Sequence, residues 1–244
     1  MKIATGVSPW RNNRQQKIKP SCREWRYKKM RNKTLVKICG ICDVPTAVAT
    51  AEAGADFIGV VFYPDSKRNI NRKKAEEIVS AIKKYKTEVV GVFVEQNAKK
   101  IAEICQHTGI TIAQLHGDSA KNTVSALPEN IRKIFVINVG YDENSQHSTS
   151  NIKTGKSSFL DRQRDYFLYD GENPGSGRLF NLDRFTTDTK FRFFLSGGLT
   201  LENVSRAIAI VAPFAVDVSS GVEKEEGVKD AELIKKFINK VKGT

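Results

Sequence analysis

From Leu35 onward, short apolar runs alternate with longer stretches whose apolar residues recur at helical spacing. Eight runs read as strands: Leu35–Ile41, Phe57–Phe62, Val89–Val94, Ile112–Leu115, Ile134–Val139, Tyr166–Tyr169, Arg192–Leu195 and Ala215–Val218. They are short and rich in branched or aromatic residues, as strands covered on both faces are. Between them the spacing predicts helices over Val44–Ala53, Arg72–Lys83, Ala98–His107, Leu201–Val211 and Ala231–Val241. In the second of these, Ala75, Ile78, Val79 and Ile82 share one face while Lys and Glu take the rest. Gly54, Gly109 and Pro213 stop three of the helices, and Asp230 is placed to cap the last. Two stretches are weaker. Lys121–Leu127 makes a short helix at best, and Tyr141–Arg164 is polar and aperiodic, a degenerate helix or a long loop.

Alternating strands and helices form a parallel sheet wrapped by helices, and eight such units predict a closed (β/α)8 TIM barrel. A single domain over residues 34–244 is expected, since such barrels run near 250 residues. Chemistry in this architecture gathers at the C-terminal ends of the strands. The residues that fall there are Cys39, Arg68, Gln114–Gly117, Asp170, Gly197-Gly198 and Ser219-Ser220-Gly221.

Charge changes the picture only at one end. The formal net charge is +13, but residues 1–33 hold eleven basic residues against the single acid Glu24. The remaining 29 basic and 26 acidic residues nearly cancel, so the basicity belongs to a disordered N-terminal extension and not to the barrel. Four readings of that extension stand: a disordered tail, a polyanion-binding arm, a targeting sequence, or residues upstream of a true start at Met30. The balanced domain argues against nucleic acid as its partner. No run approaches 18 apolar residues, so no membrane partner is expected, and four scattered cysteines fit a reduced cytoplasmic setting.

Cys39-Gly40-Ile41-Cys42 is a C-x-x-C, a spacing shared by redox pairs and half zinc sites. Zinc needs a second pair, which neither Cys105 nor His107, His116 and His147 supplies, so no metal is expected. As a thiol at a strand end, Cys39 is a candidate general base. Its free pKa of about 8.5 needs only a modest downward shift, and Lys37, two residues away on the same face, would favour the thiolate. Asp170 ends its apolar run as a candidate acid, with Asp161 and Asp165 as nearby rivals. His116 reads as a satisfied buried histidine.

Lys37-Ile38-Cys39-Gly40-Ile41, Gly54-Ala55-Asp56-Phe57-Ile58-Gly59, Phe62-Tyr63-Pro64 with Ser66-Lys67-Arg68, Val90-Gly91-Val92-Phe93-Val94, Gln114-Leu115-His116-Gly117, Gly175-Ser176-Gly177, Leu195-Ser196-Gly197-Gly198-Leu199 and Val216 to Glu223 resemble, in that order, the phosphoribosylanthranilate isomerases. The resemblance covers Leu35 to the C-terminus. It implies an isomerase of tryptophan biosynthesis that performs an Amadori rearrangement of a small phosphosugar, without cofactor, as a monomer or homodimer. It makes Cys39 the base and Asp170 the acid, and gives Arg68 the anthranilate carboxylate. Asp217 would bond the substrate near its reacting carbons.

The phosphate is expected on backbone N–H groups at Gly197, Gly198, Ser219, Ser220 and Gly221, with Gly175, Ser176 and Gly177 as a third element. Cys39 separates this family from the similar histidine-pathway isomerase, which uses an aspartate there, and residues 1–33 do not match the helical segment of indole-glycerol-phosphate synthase. Four positions depart from the family pattern: Cys42 stands where threonine is usual, Pro174 where a second glycine is common, and Asn181 and Leu182 after Phe180 replace the Asp and Trp of Phe-Asp-Trp.

Overall fold

Eight parallel strands close on themselves in sequence order, β1 against β8. They are β1 Leu35–Cys39, β2 Phe57–Val61, β3 Glu88–Phe93, β4 Ile112–Leu115, β5 Arg132–Val139, β6 Tyr166–Gly171, β7 Arg192–Leu195 and β8 Ala215–Val218. This is the expected TIM barrel. The structure is a computed structural model that describes residues 33–139, 158–171, 182, 185, 187 and 190–243. All of the basic extension but Lys33, most of Tyr141–Arg164, and Gly175-Ser176-Gly177 therefore lie outside the described residues.

The helices are α1 Val44–Glu52, α2 Arg72–Ile82, α3 Ala98–Thr108, α4 Asp118–Lys121, α5 Val204–Val211 and α6 Ala231–Lys242. Their starts are written in the sequence. Asp43, Asn71 and Asn97 each accept from the backbone N–H three residues on, filling one of the free donors of a helix's first turn. Asp230 caps α6 as expected, accepting from the N–H groups of Glu232 and Leu233. After β8 the chain makes one 3₁₀ turn, Ser220–Val222, and then a small hairpin of β9 Glu223–Glu225 and β10 Val228–Lys229.

Apolar packing falls into two layers. Outward residues such as Val36, Ile38, Val216 and Val218 join Ala47, Ile78, Ile101 and Phe237 from the helices in one continuous core. A second cluster of inward residues, including Phe57, Val90, Ile112, Ile134, Tyr166, Leu168 and Phe194, fills the barrel's N-terminal half. Phe194 meets Phe57 and Tyr166 edge-on at 5.3 and 5.4 Å, the arrangement that aromatic quadrupoles prefer. The barrel is thus plugged from below, and any cavity must open above. Among the described residues no helix is long and apolar enough to cross a membrane.

Candidate active site

Side chains alternate along a strand, so every second residue faces inward. Read upward from the plug, the inward columns change character: Leu35-Lys37-Cys39, Ile112-Gln114-His116, Tyr166-Leu168-Asp170 and Ala215-Asp217 all begin apolar and end polar. Their polar ends line a cavity of about 520 Å³ at the C-terminal mouth. Cys39, Arg68, Asp170, Gly197, Gly198, Asp217, Ser219 and Ser220 all reach it, so the structure brings together most of the residues singled out by sequence.

Lys37 is completely buried and faces Asp217 directly across the β1–β8 pairing, Nζ to Oδ2 at 2.9 Å. Burial works to lower the lysine's pKa, but Asp217 and the Cys39 sulfur outweigh it, so the value lies above that of an ordinary lysine and the ammonium persists. The other carboxylate oxygen, Oδ1 of Asp217, is buried without a partner among the described residues. Opposite Cys39 on β2 stands Gly59. A Cβ there would come within 2.7 Å of Cys39 Sγ and 3.1 Å of Lys37 Nζ, so only glycine leaves room for the thiol and ammonium side by side.

The sequence led us to expect a lowered thiol pKa; the structure gives the opposite. Burial pushes Cys39 above its ordinary value, Lys37 pulls it down, and Asp217 adds to the rise. The lysine's effect is real but smaller than the cost of burying a thiolate.

Asp170 is also displaced upward, to about 6, by burial first and the Asp217 carboxylate second, against the Gly171 N–H and Lys37. Its Oδ1 accepts from that N–H at 2.9 Å. Gly197, at φ +87°, bends the β7 loop over it; a Cβ at Gly197 would lie 2.8 Å from the same oxygen. The rivals are elsewhere. Asp165 precedes β6 at the opposite end of the barrel and accepts from the N–H groups of Lys133 and Asp161.

His116 differs from its expected role as a satisfied core residue. It lines the cavity, with Nε2 3.9 Å from Asp170 Oδ2 and only a long 3.5 Å contact from Nδ1 to Gln114. Burial, Lys121 and Lys37 lower its pKa to about 4, so it is neutral near pH 7.

Arg68 follows β2 and lines the cavity as expected, but one edge of its guanidinium is taken. Nε and Nη2 donate to the two oxygens of Glu223, both at 2.7 Å. The end-on edge, Nη1 with the second hydrogen of Nη2, has no hydrogen-bond partner among the described residues and is open to another anion. Across the mouth, the backbone N–H groups of Gly197, Gly198, Ser219 and Ser220 make no hydrogen bond among the described residues. Ser219 is itself held, its Oγ donating to the Cys39 carbonyl at 3.1 Å. Cys42, the other half of the C-x-x-C, directs Sγ at the Gly40 carbonyl, 3.5 Å away, and both thiols are free. Among the described residues no cluster of His, Cys, Asp and Glu could hold a metal ion.

Residues 36–240 match the family model for N-(5'-phosphoribosyl)anthranilate (PRA) isomerase. The isomerase of Thermotoga neapolitana is 38% identical over 210 residues, spanning 85% of this chain and 98% of that protein. The chain belongs to the phosphoribosylanthranilate isomerase family. The solved isomerase of Thermotoga maritima is 36% identical, with a TM-score of 0.70 over 86% of this chain and 100% of that one. Another phosphoribosylanthranilate isomerase, solved with reduced 1-(o-carboxyphenylamino)-1-deoxyribulose 5-phosphate, is 34% identical with a TM-score of 0.69, over 86% of this chain and 100% of that one.

Within this phosphoribosylanthranilate isomerase fold, three residues escaped the sequence reading. Gly59 sits inside a quoted motif but shows its purpose only when β1 and β2 pair. Glu223 closes the last quoted motif but was given no role there, and Lys229 lies in the hairpin after β8, where neither apolar pattern nor strand-end position marks it.

Proposed function

We propose that this cavity carries out the cytoplasmic Amadori rearrangement of N-(5-phosphoribosyl)anthranilate to 1-(2-carboxyphenylamino)-1-deoxyribulose 5-phosphate in tryptophan biosynthesis. The observation that carries the reading is that Cys39, Asp170 and Asp217, the last inward residues of β1, β6 and β8, line one cavity.

Asp170 supplies the acid. A carboxyl group held at about 6 keeps a usable protonated fraction near neutral pH, and it gives that proton to the ring oxygen. The furanose opens to a Schiff base between C1′ and the anthranilate nitrogen. Cys39 then takes the proton from C2′, and the electron pair of that bond flows towards the nitrogen to leave an enolamine. Reprotonation at C1′ and loss of the hydroxyl proton at C2′ give the aminoketose. C1′ is reduced and C2′ oxidised within one molecule, so no outside oxidant or reductant takes part.

A raised thiol pKa makes the thiolate scarce but strongly basic, and Lys37 keeps it accessible in a buried place. The unpartnered Oδ1 of Asp217 gives the substrate an acceptor near its reacting carbons. Arg68 takes the anthranilate carboxylate on its end-on edge. The phosphate is assigned to the backbone N–H groups of Gly197, Gly198, Ser219 and Ser220, which have no hydrogen-bond partner among the described residues, with Gly221 beside them and Gly175, Ser176 and Gly177 as a third element. The test is to add the protein to freshly made phosphoribosylanthranilate and follow its fluorescence. Rapid catalytic loss of that signal supports the reading; decay at the spontaneous rate contradicts it.

A further inference from the structure

Glu223 is 4% exposed in its side chain and accepts from three directions. Arg68 donates twice, Lys229 Nζ donates to Oε1 at 2.6 Å, and the Gly227 N–H reaches Oε2 at 3.2 Å. Lys229, 2% exposed, does not stop there. Its Nζ also donates to the Ser219 carbonyl at 2.9 Å and to Ser219 Oγ at 3.1 Å. A lysine has three protons, and all three have acceptors here. One continuous chain of charged hydrogen bonds therefore runs from the guanidinium beside β2 to the loop after β8.

We propose that Glu223 is a positioning residue that, with Lys229, joins the two ends of the substrate site, fixing the Arg68 edge for the carboxylate and the Ser219 loop for the phosphate. The inference rests on the reading of Arg68 and the β8 loop given above. Arginine has two ways to receive a carboxylate, side-on through Nε and Nη2 or end-on through Nη1 and Nη2. By taking the side-on edge, Glu223 leaves one geometry for the incoming anion. Lys229 meanwhile clamps Ser219 by carbonyl and hydroxyl together, which fixes where the adjacent N–H groups point. Burial of the Glu223–Lys229 pair gives the link stiffness that a solvated pair lacks.

Anthranilate and inorganic phosphate, used separately as competitive inhibitors, read the two ends one at a time. In Glu223→Gln both inhibition constants should rise about tenfold, the effect of losing a charged hydrogen bond. The substrate KM should rise by a larger factor than kcat falls, and the apparent pKa values of the rate profile should stay where they are. Wild-type inhibition constants with a lowered Tm make Glu223 a structural residue and overturn the inference, as does a loss at one end only. Lys229→Gln tests the link from its other side if Glu223→Gln fails to fold. Phosphate binding should weaken more than anthranilate binding, and equal or absent effects contradict the proposal. Arg68→Ala separates the two levels. If anthranilate binds that variant as it binds wild type, the underlying reading of Arg68 fails. If Arg68→Ala loses anthranilate while Glu223→Gln does not, only the positioning role falls.

Discussion

Lys37 and Asp217 face each other across the seam that closes the barrel, Nζ 2.9 Å from Oδ2, with side chains 0% and 5% exposed. Below them the barrel is apolar; above them lies the cavity. An isolated ammonium in this position would cost several kcal/mol, so the pair holds because each partner answers the other. Lys37→Met should destabilise the protein by about 3–5 kcal/mol, because it leaves Asp217 buried and unpaired. It should also lower kcat, since Lys37 is the largest influence opposing the effect of burial on Cys39 and only the lesser one of Lys229 then remains. Urea unfolding alongside kcat checks both; unchanged stability would contradict the ion pair, and unchanged kcat the support of Cys39.

Asp170 trades stability for function. Its folded pKa of about 6 exceeds the unfolded value near 3.9, so the folded chain binds the proton more tightly. The group is then neutral to stability below the unfolded value and increasingly unfavourable as pH rises to the folded one. Two units correspond to about 3 kcal/mol. Asp170→Asn should therefore unfold at higher urea than wild type at pH 7.5, with the gap closing towards pH 4. A gap that is the same at both pH values would show that the carboxyl carries no burial penalty.

Arg68→Ala should act mainly on KM, because the guanidinium meets the substrate at a carboxylate remote from the bond changes. Lysine should rescue it poorly. A single ammonium cannot hold both oxygens of Glu223 and present a second planar edge. Equal kinetics for Arg68→Lys and wild type would remove the bidentate argument.

The basic extension is proposed to be dispensable, because its charge and scarcity of apolar residues leave it nothing to bury. A chain beginning at Met30 should keep full activity, with Tm within about 5 °C of the longer chain. A larger shift would mean that the extension packs on the barrel.

The barrel was legible because buried parallel strands and amphipathic helices leave strong apolar signatures. Ile112–Leu115, Arg192–Leu195 and Ala215–Val218 begin and end where the pattern places them. Misses follow polar residues. β5 starts at Arg132 and not at Ile134, because Arg132 pairs with Glu88 and the Lys133 N–H meets Asp165, contacts that no apolar count registers. α5 starts at Val204 because Asn203 Oδ1 accepts from the Thr200 N–H, holding 200–203 as a turn. In the site, strand-end position marked Cys39 and Asp170 as candidates, and the family resemblance supplied the roles proposed for them. The direction of the Cys39 shift was hidden, since it depends on how deeply β2 and β8 bury the thiol. Glu223 was hidden for a similar reason: its partners, Arg68 and Lys229, come from different loops.

If Cys39 is the base of an isomerisation in this cavity, the kcat of Cys39→Ala on phosphoribosylanthranilate must show it, with Asp170→Asn measured beside it. Removing a general base or acid costs at least about 100-fold in kcat. We expect each variant to lose that much with little change in KM, and to unfold cooperatively like the wild type. A Cys39→Ala protein retaining more than half of wild-type kcat would show that Cys39 is not the base.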